Sequence, residues 1–358
     1  MAYTRIERLQ NAMANSGFDG ALIVSPEDRL YFTQFPSSDG YLLVSAEKAV
    51  FVTDSRYVEA AEKKAVGCSV VLQTTDSTQL FELFSEMHVT RVAVEASRMN
   101  LAQYARICNA LEPMAVLADS TLDNLIAGLR SVKQPDEIEK IRAAQAITEQ
   151  AFSHICEFIK PGKTEREVSL ELDFFMLHHG AEALSFETIA VSGENGSMPH
   201  GVPGSRKIQA GDFVTMDFGA VVDGYHSDMT RTVAVGQVSD RQKEVYNVVL
   251  SAQKALLSAL RPGLPCSEAD KVARDVIEQA GYGAYFGHAA GHGVGVEIHE
   301  FPNLSPRSKS VLTVGNVVTD EPGIYLPGEF GVRIEDMAYI TPDGCENLTA
   351  SPKELIIL

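Results

Sequence analysis

The residues whose types and spacing suggest chemistry lie in the second half of the chain, and the clearest of them are acids set into apolar strands. One run reads Asp212-Phe213-Val214-Thr215-Met216-Asp217-Phe218-Gly219. After the pair Asp223-Gly224 the chain returns as Tyr225-His226-Ser227-Asp228-Met229-Thr230-Arg231-Thr232. An Asp-Gly pair between two β-rich runs marks a hairpin. With these two residues as the loop, Val222 faces Tyr225 and Gly219 faces Asp228. Asp217 then shares a face, diagonally, with Asp228. Two carboxylates held that close repel unless one binds a proton or a cation neutralises both. A lone strand aspartate is usually a turn or edge residue, whereas a same-face pair inside an apolar hairpin points to a metal.

A second pair of acids follows. Val317-Val318-Thr319-Asp320-Glu321-Pro322-Gly323-Ile324-Tyr325 leads through the turn-like Leu326-Pro327-Gly328-Glu329 into Phe330-Gly331-Val332-Arg333-Ile334-Glu335-Asp336. Glu321 and Glu335 are expected to meet across neighbouring strands. A surface ion pair from Glu335 to Arg333 competes with that reading, because two positions on one strand share a face. Between the pairs sits Gly287-His288-Ala289-Ala290-Gly291-His292-Gly293-Val294-Gly295-Val296-Glu297-Ile298-His299-Glu300. Its glycines let backbone and imidazole approach a site closely. Three histidines here, in a chain with nine, are dense. His200 lies in the Pro/Gly-rich loop Met198-Pro199-His200-Gly201. Taken singly, each of these histidines reads as a core or surface residue.

The elements that must position these groups form two blocks, expected at residues 1–128 and 129–358. In the first, a helix pattern over Ile6, Leu9 and Met13 stops near Gly17. Strand candidates follow at 21–24, 41–44, 50–53, 70–72, 92–94 and 115–117, with helical stretches between several of them. This is the pattern of an α/β layer domain. It carries no chemical constellation, and Arg56, His88 and Arg98 are expected on its solvated surface. The join lies near Ser131-Val132-Lys133-Gln134-Pro135. Pro135 suits the first turn of a helix, and Asp136, Glu137 and Glu139 favour its amino end; the helix should run to Ile159. Pro161-Gly162 and Pro262-Gly263 each end a long helix. Each precedes a capping segment and a second helix that stops at a glycine, Gly180 or Gly281. This weak repeat suggests two similar halves about a pseudo-two-fold axis.

The bulk properties narrow the function. A net charge of −18 argues against nucleic acid, whose phosphates require Lys and Arg. The amino terminus, Met1-Ala2-Tyr3-Thr4-Arg5-Ile6-Glu7-Arg8-Leu9, has no apolar signal region. No apolar run approaches the ~20 residues that span a bilayer. The five cysteines (Cys68, Cys108, Cys156, Cys266, Cys345) are scattered and contain no CxxC pair. A reducing cytoplasm is the expected location.

The set MDFGA…SDMTRT, GHAAGHGVGVEIHE, TDEPGIY and VRIED resembles the pita-bread metallopeptidases, and within them the Xaa-Pro aminopeptidases and prolidase-type dipeptidases. The resemblance spans about residues 130–358, and the N-terminal domain fits the same subfamily. The implied fold is an α/β, creatinase-like N-terminal domain followed by an α+β pita-bread domain with pseudo-two-fold symmetry. The resemblance implies that Asp217, Asp228, His292, Glu321 and Glu335 bind two divalent metals. His200, His288 and His299 would line the substrate site, with Tyr325 and Arg333 close by. Such an oxygen-rich set favours Mn, with Co, Fe or Zn as alternatives. The implied reaction is hydrolysis between an N-terminal residue and proline by a hydroxide shared between the metals, with Glu321 taking the water's proton. His200 or His299 would stabilise the intermediate or move a proton. The implied partners are small peptides with proline second and a second copy of the chain in a homodimer. The one departure is Asp320, where an apolar residue is expected; alternation points it away from the metals, so packing rather than chemistry is in question. The competing functions are a two-metal aminopeptidase without proline preference, a creatinase-like non-metal hydrolase and a catalytically silent binding module.

Overall fold

The computed structural model describes residues 4–358; Met1 to Tyr3, the start of the segment read as lacking a signal region, lie outside it. The chain divides into two compact units, Met1–Arg130 and Ser131–Leu358.

In the first unit, buried runs of Leu, Val, Ile and Phe form the middle of a six-stranded mixed sheet. Its strands lie in the order Ser69–Leu72, Ala49–Thr53, Tyr41–Ser45, Gly20–Ile23, Arg91–Val94, Ala115–Leu117. The central strands are buried on both faces because helices cover them, as continuous apolar runs require. The first helix, Arg5–Met13, starts at a Thr4–Glu7 capping box and buries Ile6, Leu9 and Met13. Arg56, His88 and Arg98 are all exposed, and Arg56 is held by Asp54 at 2.6 Å.

The second unit opens with the helix Pro135–Phe158, which has Pro at its first turn and a Gln134–Glu137 capping box. Its buried face repeats every three to four residues (Ile138, Ile141, Ala144, Ala151, Phe152, Ile155). Ile159 caps it, and Gly162 turns the chain at φ +97°. The helix Glu165–His178 follows from a Thr164–Glu167 capping box. The same device recurs downstream. Helix Asp240–Ala259 ends before Gly263 at φ +82°, and helix Cys266–Gln279 follows. Gly162 N–H donates to the Ile208 carbonyl at 2.8 Å, and Gly263 N–H donates to that of Leu312 at 2.8 Å. The return bonds run from Ile208 to Lys163 and from Leu312 to Leu264. Equivalent glycines thus make equivalent contacts in the two halves, so the Pro-Gly repeat has a structural counterpart.

Each helix pair covers its own apolar core. One core joins Ile147, Phe152, Val168 and Leu172 to Val214, Met216 and Val233. The other joins Val245, Val249, Ala269 and Ala273 to Val318, Ile334 and Ala338. The first faces an antiparallel sheet of Ile189–Ser192, Phe213–Phe218 and Met229–Ala234. The second faces a five-stranded sheet containing Gly291–Gly293, Val317–Asp320 and Asp336–Thr341. No helix among the described residues is long and apolar enough to cross a membrane.

Candidate metal centre

Both acid-bearing hairpins keep one register across a break; Asp228, Glu321 and Glu335 sit at the breaks, and Asp217 lies in the adjoining ladder. In the first, Val222 pairs with Tyr225 beside the turn, and Thr230 pairs with Asp217 farther along. Gly219 therefore lies opposite Asp228, as the two-residue loop requires, and Asp228 lies outside any ladder. Only glycine fits there: a Cβ on Gly219 would lie 2.0 Å from the Ser227 carbonyl oxygen. In the second hairpin, Asp320 pairs with Asp336 and Gly323 with Arg333. The same register places Glu321 opposite Glu335, between the two ladders. A strand break frees side chains from the flat alternation of a sheet and re-aims them.

The hairpins meet at Thr230 and Glu335. Glu335 N–H donates to the Thr230 carbonyl at 3.1 Å, and Thr230 Oγ1 donates to Glu335 Oε2 at 2.7 Å. The outcome is one cluster: Asp228, His292 and Glu335 each present a ligand atom within 4.8 Å of the others. His292 Nε2 lies 3.5 Å from Asp228 Oδ2 and 3.5 Å from Glu321 Oε1. Its Nδ1 donates to the Gly293 carbonyl at 3.1 Å, which leaves the Nε2 lone pair facing the acids. Thr319 Oγ1 accepts from the His292 N–H and donates to Glu321 Oε1. Gly291 lies so close to the Thr319 carbonyl that a Cβ would sit 2.1 Å from it. Arg333 does not pair with Glu335. Its Nη2 donates to Asp217 Oδ2 at 2.6 Å and its Nε to Thr230 Oγ1 at 3.0 Å, so the competing surface ion pair is replaced by a buried one.

The fit to cations rests on the acceptors. Asp217 Oδ1 and Asp228 Oδ1 are buried with no hydrogen-bond partner, which is costly for a carboxylate unless a cation takes the lone pair. Burial, then the neighbouring Glu335, Asp217 and Glu321, push the Asp228 carboxyl well above its usual range. Burial, then Glu321 and Asp217, do the same to Glu335. Burial pushes Glu321 up to about 7 against the opposing pull of Arg333. Four acids and one imidazole converging with one arginine need further positive charge to ionise together.

A further set of side chains lines a cavity of about 460 Å³ above this cluster, within the range of small-ligand sites. His200, His288, His299, Phe186, Ile189 and Ile298 are on its walls. His288 Nδ1 donates to the Ala289 carbonyl, so its Nε2 accepts from the Tyr325 hydroxyl at 2.9 Å. That hydroxyl in turn accepts from Arg333 Nη1 at 2.9 Å. Burial, aided by Arg333, pushes His288 down to about 4, so it is neutral near pH 7. The His299 ring centroid is 4.3 Å from that of His292.

Residues 139–342 match the model of metallopeptidase family M24, and residues 5–132 match the creatinase/prolidase N-terminal domain. The chain belongs to family M24. The Xaa-Pro dipeptidase of Pyrococcus furiosus is 37% identical over 98% of this chain and 99% of its own length. Among solved structures, the Xaa-Pro dipeptidase from Bacillus anthracis aligns with a TM-score of 0.95 at 44% identity over 99% of each chain. The X-Pro aminopeptidase from Thermotoga maritima MSB8 aligns at 0.91 and 35% identity, over 97% of this chain and 100% of the other. The fold of this M24 chain is a creatinase-type N-terminal domain followed by a pita-bread domain, and the chain is a metallopeptidase.

Three features of the M24 site escaped sequence reading. Thr230 and Thr319 orient Glu335 and Glu321, although a threonine in a strand carries no distinctive signal. The apolar cavity wall of Phe186, Ile189 and Ile298 is drawn from separate loops and strands. Asp320, the departure that put packing in question, is fully buried; its Oδ2 accepts from Gln253 Nε2 at 3.0 Å and its Oδ1 has no hydrogen-bond partner. Burial, then Asp336, pushes its carboxyl well above the usual range.

The raised acids couple cation binding to pH. A carboxyl whose folded pKa is raised stabilises the metal-free fold below about 4.5 and loses that contribution as pH rises through about 7. Cations need the ionised form and so act in the opposite sense. Divalent-ion affinity should therefore rise as pH increases through about 7, where Glu321 ionises. Calorimetry in buffers of different ionisation enthalpy should detect proton release on binding below that point. Proton-neutral binding there would contradict the shift.

Proposed function

We propose that this M24 peptidase removes an N-terminal residue from proline in small peptides, using two divalent ions held by Asp217, Asp228, His292, Glu321 and Glu335. The observation that carries the reading is the pair of orphaned acceptors, Asp217 Oδ1 and Asp228 Oδ1, facing a five-ligand set. The similarity to proteins named Xaa-Pro dipeptidase and X-Pro aminopeptidase supports the proline preference. An oxygen-rich set with one imidazole suits Mn first, then Co, Fe or Zn. When bound, such ions supply Lewis acidity and an acidified water.

The protein's own groups supply the rest. Glu321, on the cavity wall, is placed to accept the water's proton and return it. The acidic cluster attracts the substrate's α-ammonium group and fixes the end from which it enters. His288, neutral and held by Tyr325, offers an uncharged imidazole to the substrate. His200 and His299, on the cavity wall, are placed to stabilise negative charge on the reacting carbonyl oxygen or to move a proton to the leaving nitrogen. Arg333, on the cavity wall, holds Asp217 and Tyr325. The preserved ligand set disfavours a creatinase-like reaction. The cytoplasm and a homodimer complete the proposal.

The test is reconstitution. Chelator-treated protein should be inactive, and activity should return with about two equivalents of ion per chain, compared ion by ion. His200→Ala should bind the same number of ions yet lose roughly a hundredfold or more in kcat, the usual range for a proton-transfer group. A fall in its ion content would make His200 a ligand. Running Ala-Pro beside Ala-Pro-Ala would separate dipeptidase from aminopeptidase.

A further inference from the structure

Behind the acid cluster lies a second polar network, built around Asp320 and Asp336. Asp320 and Asp336 are directly paired in their ladder, each one residue from a proposed ligand. Strand alternation turns them away from Glu321 and Glu335. Both are fully buried.

Arg231, one residue beyond Thr230, reaches into this network with its side chain 1% exposed. All five of its N–H donors are used. Nη1 donates to the carbonyls of Thr230 at 3.0 Å and Glu335 at 2.5 Å. Nη2 donates to Asp336 Oδ1 at 2.8 Å and the Ser351 carbonyl at 2.7 Å. Nε donates to the Pro352 carbonyl at 2.9 Å. One guanidinium thus grips the first hairpin, the second hairpin and the segment 351–352.

Asp336 Oδ2 is the other node. It accepts from Lys353 Nζ, from Gln253 Nε2 at 3.1 Å and from Asn347 Nδ2 at 2.9 Å. Gln253, on helix Asp240–Ala259, also donates to Asp320 and accepts from Lys353 Nζ at 3.0 Å. Lys353 is itself anchored, since its carbonyl accepts from the Tyr246 hydroxyl at 2.8 Å.

We infer that Arg231, Asp336, Gln253 and Lys353 form a buried cross-tie that holds the two acid-bearing hairpins in their relative positions, and thereby sets divalent-ion affinity without contributing a ligand. The inference rests on the metal assignment above. The physical reason is that Asp228 and Glu335 repel each other until an ion arrives, so something else must keep their strands together. On the cavity side that junction is spanned by the Thr230–Glu335 bonds and by Arg333, which donates to Asp217 and Thr230; Arg231 spans it from behind. A ligand pair held in place loses little freedom on binding, whereas a loosened pair must be ordered by the ion. Lys353 and the segment around it are positioning residues, far along the chain from every ligand except Glu335.

The variant is Lys353→Met, which removes the ammonium and keeps the stem. Full-length protein is stripped of ions and titrated calorimetrically with Mn. Outer groups that orient ligands typically contribute tenfold to a hundredfold in affinity. The expected result is an affinity loss in that range, with unchanged far-UV circular dichroism. At saturating Mn, kcat and KM should return to wild-type values, which a general loss of structure would not allow. Lys353→Arg should restore most of the affinity. Should Lys353→Met fail to fold, Asn347→Ala removes one bond to Asp336 from an exposed position and should weaken Mn in the same direction. Wild-type Mn affinity in a folded variant would overturn the cross-tie. Failure of the metal assignment itself reads differently: wild-type protein would then bind no Mn.

Discussion

Asp228→Asn should abolish nearly all activity and release at least one ion while leaving the fold intact. The side chain sits in a ladder break, buried, with Oδ2 3.5 Å from His292 Nε2 and Oδ1 without a partner. The amide keeps the shape but presents a weaker ligand and an N–H₂ group that cannot bind a cation. Metal chemistry supplies several kcal/mol of transition-state stabilisation. Losing about 4 kcal/mol corresponds to a rate loss on the order of a thousandfold. Stability should move the other way in the metal-free state. Asp228 is surrounded by Glu335, Asp217 and Glu321, so a neutral side chain relieves repulsion. The metal-free variant should therefore melt no lower than metal-free wild type at neutral pH, which separates ligand loss from unfolding. Ion content by mass spectrometry, melting temperature and kcat/KM together make the measurement. Full activity with two ions still bound would remove Asp228 from the ligand set.

Xaa-Pro peptides should be cleaved far faster than matched Xaa-Ala peptides. The bond before proline has no N–H, so an enzyme relying on a hydrogen bond from that position rejects it. The cavity here offers apolar wall instead, with Ile189, Ile298 and Phe186 among its lining residues. Proline carries two more carbons than alanine for such a wall. At about 0.8 kcal/mol per methylene this gives roughly tenfold in favour of proline. Proline's ring is already rigid, so less ordering cost opposes binding and the ratio grows. The difference acts beside the reacting bond and should appear in kcat/KM. Ala-Pro against Ala-Ala, and Ala-Pro-Ala against Ala-Ala-Ala, measured with Mn or Co, provide the comparison. Equal efficiencies within each pair would leave a general aminopeptidase and remove the proline preference.

What could be read from the sequence was whatever short-range rules govern. The Asp223-Gly224 pair set a two-residue loop, and a two-residue loop leaves one register, so Gly219 had to face Asp228. Pro135 and the capping segment after Pro161-Gly162 marked helix starts because capping satisfies local N–H groups. The Pro-Gly stops marked two equivalent halves. Motifs in the right order then pointed to the family. The tertiary structure decided what lies between hairpins. Arg333 pairs with Asp217, more than a hundred residues away, rather than with Glu335 two positions along its own strand. Alternation alone cannot distinguish these partners, because both lie within reach until the two sheets are packed. The packing of Asp320 stayed in question for the same reason. Its neighbours Gln253 and Lys353 come from a helix and a distant segment, and only burial of two apolar cores brings them to one point. Local backbone pairing is thus encoded within a few residues, whereas charge partners are chosen by which surfaces the cores force together.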